Sequence, residues 1–179
     1  MNSPDFADIE LEILIKLFFK DTNRLGLFKE VATDDIPEPS RSLLGHDHHM
    51  TVTLEEHHGS SVDVQVLATR IDGEHYSRKI LLTRKPDNKV VQYGIVRLNT
   101  SVLADEVRQE IEAQQIPLGR VLINHDVMRE VKLLSLFQIQ CGVELAESFG
   151  FEVGDVCYGR TALIYCDGSP AIELLEIVI

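Results

Sequence analysis

Positive charge is scarce in this chain. Seventeen lysines and arginines stand against 29 aspartates and glutamates, a formal net charge of -12. That is the wrong sign for gripping nucleic acid or an anionic membrane surface, so neither is expected as a partner. Uninterrupted hydrophobic runs are also missing. The apolar run from Ile9 to Phe19 is broken by Glu10, Glu12 and Lys16 and has no basic start, which fits neither a signal peptide nor a membrane span. A soluble, cytoplasmic protein is the expectation. Cysteine is limited to Cys141, Cys157 and Cys166, an odd number with no CxxC spacing, expected as small core hydrophobes in a reducing compartment. No GxSxG, GxGxxG or P-loop occurs, and no cysteine has an activating histidine within sequence reach. Nucleophilic and nucleotide chemistry therefore lack support.

What is present suits one domain, residues 1–179. The 44% apolar and 26% charged residues match a globular chain long enough to bury a core and a pocket. Ser3-Pro4-Asp5 reads as a helix start, with a helix running to about Lys20 and a loop from Thr22 to Pro39. Ser40 to Leu44 reads as a short helix, and Asp47 as the cap of another that ends near Gly59. Alternation of Val62, Val64, Val66 and Ala68 predicts a strand. It turns at Asp72-Gly73 into a hairpin from Tyr76 to Asn99, itself turning at Pro86-Asp87-Asn88. Helical spacing returns from Ala104 to Gln114, followed by a short segment from Ile116 to Asn124. A strand from Met128 to Ile139, a helix from Gly142 to Phe149 and a second hairpin, Cys157–Cys166 with Ala171–Ile179, complete the chain. Such an order predicts an α+β fold, an antiparallel β-sheet with helices covering one face and enclosing a ligand pocket.

Side chains alternate between faces along a strand. Arg78 thus shares a face with Tyr76, Ile80 and Leu82, and Arg97 falls with Val91, Tyr93 and Ile95. Two guanidiniums among apolar neighbours point to an anion pocket, since buried arginine requires a partner. The alternative is an edge strand whose arginines reach water. On the last strand Glu176 lies with Ile172, Leu174 and Val178, and Glu173 with Ala171, Leu175 and Ile177. An acid among aliphatic groups retains its proton nearer neutrality and can donate it; the alternative is an ion pair with Arg78, Arg97 or Arg160. The cluster His46, His48, His49, His57 and His58 matches no zinc spacing and is read as a polar helix face. No metal and no cofactor are expected.

Four segments then carry a family likeness. Ser42-Leu43-Leu44-Gly45-His46-Asp47-His48-His49-Met50-Thr51 resembles the LL..D..MT segment of the chorismate pyruvate-lyase family, and Tyr76 to Leu82 its strand with an R.ILL core. Ile116-Pro117-Leu118-Gly119-Arg120-Val121-Leu122 resembles its PLGR.L motif, and Gly159-Arg160-Thr161 with Asp167 to Pro170 and Glu176-Ile177-Val178 its closing hairpin. The likeness runs in order over residues 40–179, and the His-rich first motif is similar to the branch long catalogued as a family of unknown function. It implies cofactor-independent elimination of pyruvate from chorismate to give 4-hydroxybenzoate. By the same likeness Arg78 and Glu176 are the catalytic pair, Arg78 binding the ring carboxylate. Met50 and Leu118 would enclose the ring, and Gly119, Arg97, Glu173 and Arg160 would complete the substrate site. Two departures stand out: the last-strand glutamate lies one residue late, leaving Glu173 as an equivalent, and Gly94-Ile95-Val96-Arg97 replaces a GRT. Two other readings remain: a non-catalytic small-molecule effector-binding module of the same fold, as in some transcription regulators, or an enzyme giving a different hydroxybenzoate. Regulators of that kind carry a DNA-binding winged helix ahead of the module, where this chain has one helix and a loop. Oligomeric state is not readable from the sequence.

Overall fold

The computed structural model describes residues 11–179. The helix start read at Ser3-Pro4-Asp5 lies outside the described residues. Thirteen helices and strands follow: α1 (Leu11–Lys16), β1 (Gly26–Val31), α2 (Ser40–Leu44), α3 (Met50–His58), β2 (Val62–Asp72), β3 (His75–Arg84), β4 (Val90–Asn99), α4 (Asp105–Glu112), α5 (Leu118–Asn124), β5 (Arg129–Cys141), α6 (Val143–Phe149), β6 (Val156–Cys166) and β7 (Ser169–Val178).

All seven strands form one antiparallel sheet in the order β1-β5-β6-β7-β4-β3-β2. The chain is α+β, as its patterning predicts, and β2, β3 and β4 make the expected meander. On one face α2 and α3 pack over Ile80, Leu82, Val91 and Leu136, and α4 and α5 over Tyr76, Val96, Ala162 and Leu174. The reverse face carries a further core, where α1 and α6 bury Leu14, Ile15 and Leu145 against Leu81, Tyr93, Ile95, Leu175 and Ile177. Among the described residues no helix is long and apolar enough to cross a membrane.

Three local expectations are corrected. The stretch from Thr22 to Pro39 is not a loop throughout, because β1 forms within it. This strand pairs only with β5 at the sheet edge, so its partner rather than its own mixed pattern defines it. Asp47 does not cap α3. His49 occupies that position without a side-chain cap bond, and Asp47 instead accepts a hydrogen bond from the Leu133 N–H at 2.9 Å. Gly59 does end α3, in the left-handed conformation at φ 62° that glycine adopts without strain.

Arg97 provides the third correction. At the turn end of the hairpin Thr83 faces Val90; continued unbroken, that register would bring Arg97 to the face of Arg78. A register shift between Leu82 and Thr83 intervenes, so that Arg78 faces Val96 and Arg97 faces Ser77. A one-residue shift exchanges the two faces of a strand, so Arg78 and Arg97 lie on opposite sides of the sheet.

The three cysteines are buried and free. Cys141 and Cys157 bring their Sγ atoms to 3.4 Å, and burial pushes both thiols up from their ordinary pKa and Cys166 up to about 11. They pack as small core side chains.

Candidate functional site

Three rungs of the sheet build the floor beneath α3 and α5. The first carries Arg78, Val96, Leu174 and Ala162, the second Ile80, Gly94, Glu176 and Arg160, and the third Leu82, Gln92, Val178 and Tyr158. Gly94 hollows the middle. A Cβ there would approach Ile80 Cγ1 to 3.1 Å and Gln92 Nε2 to 3.4 Å, so only glycine leaves this space open. The result is a cavity of about 40 Å³ walled by Ile80, Leu82, Val96, Leu174 and Ile164 and roofed by His48, His49, Met50, Thr51, Pro117, Leu118 and Gly119. A water requires roughly 10–15 Å³, so in this closed form there is room for a few waters and not for an aromatic ring.

The roof is tied down at several points. Arg160 has 0% exposure and spends its donors on the α2–α3 loop: Nη1 donates to the carbonyls of Leu44 (3.3 Å) and His46 (2.7 Å), and Nη2 to that of His48 (3.0 Å). Its Nε donates to Glu176 Oε2 at 2.7 Å. Arg129 Nε donates to His49 Nε2 at 2.6 Å. Burial, then the Arg129 and Arg160 cations, hold His49 down to about 4, consistent with an imidazole that accepts at Nε2. Glu55 joins α3 to the rest, accepting from the Val62 N–H at 3.2 Å and pairing with Arg120 of α5. Gly119 permits close approach of α5 to α3, since a Cβ would stand 3.0 Å from Thr51 Oγ1.

Arg78 is the other fully buried arginine, again at 0% exposure. Its Nη1 donates to the Ile111 carbonyl near the end of α4 at 3.2 Å, while Nε and Nη2 have no hydrogen-bond partner among the described residues. Burial pushes its pKa down, and the neighbouring Tyr76 hydroxyl partly offsets this. Arginine remains protonated in proteins, so Arg78 is a buried cation. Nε and Nη2 form the side edge of the guanidinium, which meets a carboxylate in two parallel hydrogen bonds. Gln92 is 3% exposed and lines the cavity, and its Oε1 has no hydrogen-bond partner among the described residues.

Of the residues expected from sequence, Met50, Leu118, Gly119, Arg160 and Glu176 line this cavity together. Arg78 lies beside it, opposite Val96 and two residues from Ile80. Arg97 and Glu173 do not join them. They face each other on the reverse side at 3.5 Å, partly buried, beside a separate surface groove with His75, Asn99 and Leu163. Glu176 is on the pocket face and Glu173 is not, which separates the two candidates for the acid. Glu176 is not surrounded only by aliphatic groups, however. It is the counter-ion of Arg160, the ion-pair alternative. Sequence reading missed Gln92 and Gly94. Both share parity with Val96, but only the shifted register identifies that parity with the face of Arg78. Among the described residues no group of three or more histidines, cysteines or acids is gathered as a metal site.

Comparison with known proteins finds no matching family model and no matching curated protein. Solved structures do match. The ligand-binding domain of a protein assigned to the GntR family of transcriptional regulators, from Bordetella bronchiseptica, aligns with a TM-score of 0.50 at 14% identity, covering 66% of this chain and 85% of that one. PhnF from Mycobacterium smegmatis aligns with a TM-score of 0.54 at 11% identity, covering 87% of this chain and 88% of that one. A gene product of Staphylococcus aureus N315 aligns with a TM-score of 0.50 at 11% identity over 66% of this chain and 82% of its own. At these identities the likeness is one of fold, the chorismate lyase-like α+β fold of GntR-family ligand-binding domains.

Proposed function

We propose that the chain is a small-molecule binding module for arylcarboxylates, whose ligand lies over Gly94 and presents its carboxylate to Arg78. The observation that carries this reading is the unpartnered Nε and Nη2 edge of a fully buried guanidinium. A buried cation lacking a counter-ion is costly, and a ligand carboxylate supplies it with matching geometry. Apolar walls suit a planar ring. The shared fold with a regulator's ligand-binding domain supports binding over turnover. So does the commitment of Glu176, the acid nearest the ring position, to Arg160. Entry requires the α2–α3 loop and α5 to part from the sheet, because the closed cavity is smaller than the ligand.

A second reading is chorismate pyruvate-lyase activity, favoured by the convergence of five motif residues, Met50, Leu118, Gly119, Arg160 and Glu176, on the cavity. One experiment separates the two. The protein is titrated calorimetrically with benzoate and 4-hydroxybenzoate and is incubated with chorismate while pyruvate is measured. Saturable binding without pyruvate release is the expected result. Catalytic pyruvate release would install the lyase reading, and the absence of any arylcarboxylate binding would overturn both.

A further inference from the structure

We infer that Gln92 is a specificity-determining residue, selecting ligands that bear a hydroxyl on the side of the ring remote from the carboxylate. This deepens the arylcarboxylate reading and rests on it. Gln92 and Arg78 occupy the outer rungs of the floor, with Gly94 on the rung between. Two rungs on one face of a strand separate their Cα atoms by roughly 13–14 Å along the sheet. Two floor side chains with atoms unbonded among the described residues thus stand on the outer rungs, the amide of Gln92 lining the cavity and the Arg78 cation beside it.

An amide buried to 3% exposure with an unbonded oxygen is costly to leave unanswered. Its oxygen accepts and its nitrogen donates from adjacent positions, and a hydroxyl can answer both. Several other polar groups nearby are already engaged. Glu176 Oε2 accepts from Arg160, which donates further to three carbonyls. His49 Nε2 accepts from Arg129. Leu82 and Val178, the partners of Gln92 across the sheet, offer no polar side chain. A ring carrying only a carboxylate would satisfy Arg78 and leave the amide buried against carbon.

The test compares benzoate with 4-hydroxybenzoate on the full chain and on Gln92→Met, which keeps the length of the side chain and removes the amide. The parent is expected to bind 4-hydroxybenzoate roughly 10- to 100-fold more tightly than benzoate, the range for leaving one buried polar group unpaired. In Gln92→Met that preference disappears, while benzoate binds at least as tightly as to the parent. Equal affinities in the parent overturn the assignment without recourse to any variant, as does a hydroxyl preference that survives in Gln92→Met. Either result leaves the carboxylate site at Arg78 standing. Failure of both ligands to bind removes that site and this inference together.

Discussion

Arg78 and Arg160 have both lost contact with solvent, but they are held in opposite ways. Arg160 has an acidic partner and three carbonyls; Arg78 has one carbonyl and an empty edge. Removing one member of a buried pair strands the other, at a cost of about 3–5 kcal/mol. Arg160→Met is therefore expected to lower unfolding free energy by about that amount in a urea titration, because Glu176 is left buried and unpaired. Arg78→Met strands the Ile111 carbonyl, takes a polar neighbour from the Tyr76 hydroxyl and relieves a buried charge that has no acidic partner among the described residues. Its ligand-free stability is expected to match or exceed that of the parent, while benzoate affinity falls by about 1.5–3 kcal/mol, as for a lost charged hydrogen bond. A large loss of stability in Arg78→Met would mean that the guanidinium is satisfied within the protein.

At the scale of elements the α2–α3 loop roofs the cavity, and it is fastened by side-chain hydrogen bonds. Leu133 N–H binds Asp47, Arg129 binds His49, and Arg160 gathers the backbone from Leu44 to His48. The His49 contribution depends on pH. Its pKa is depressed from 6.5 to about 4 in the folded chain, chiefly by burial, so between those values the unfolded chain binds a proton that the folded chain refuses. Stability is complete above pH 6.5, declines as pH falls towards 4 and levels off below. Unfolding free energy measured across that range should slope more gently in His49→Gln, whose amide oxygen can still accept from Arg129. An unchanged slope would show that other groups carry the acid sensitivity.

Over the whole molecule the net charge of -12 opposes the arylcarboxylate ligand class proposed for the pocket. Approach therefore occurs against a repulsive field that salt screens. The Debye length shrinks from about 30 Å at 0.01 M salt to about 8 Å at 0.15 M. The association rate for benzoate, followed by stopped flow, is thus expected to rise over that interval, opposite to the behaviour of electrostatically steered pairs. A falling rate would place a cationic approach path on the surface.

Much of this architecture was legible before folding was considered. Period-two alternation, the turns at Asp72-Gly73 and Pro86-Asp87-Asn88 and the helical spacing after Asn99 depend on local sterics and on which side chains avoid water, and each residue carries those preferences wherever it stands. They were sufficient for the α+β class and the central meander, and they placed Arg78 on the apolar face of its strand while leaving its burial open. Tertiary structure alone decided the rest. A strand face is relative until a partner sets the register, and one shift between Leu82 and Thr83 sent Arg97 away from the pocket and brought Gln92 and Gly94 to the face of Arg78. β1 exists because β5 offers it an edge. Whether Glu176 faces carbon or a cation depended on which rung of β6 lay beside it, because the charge state a site favours is set by neighbours that are distant in sequence and adjacent only after folding.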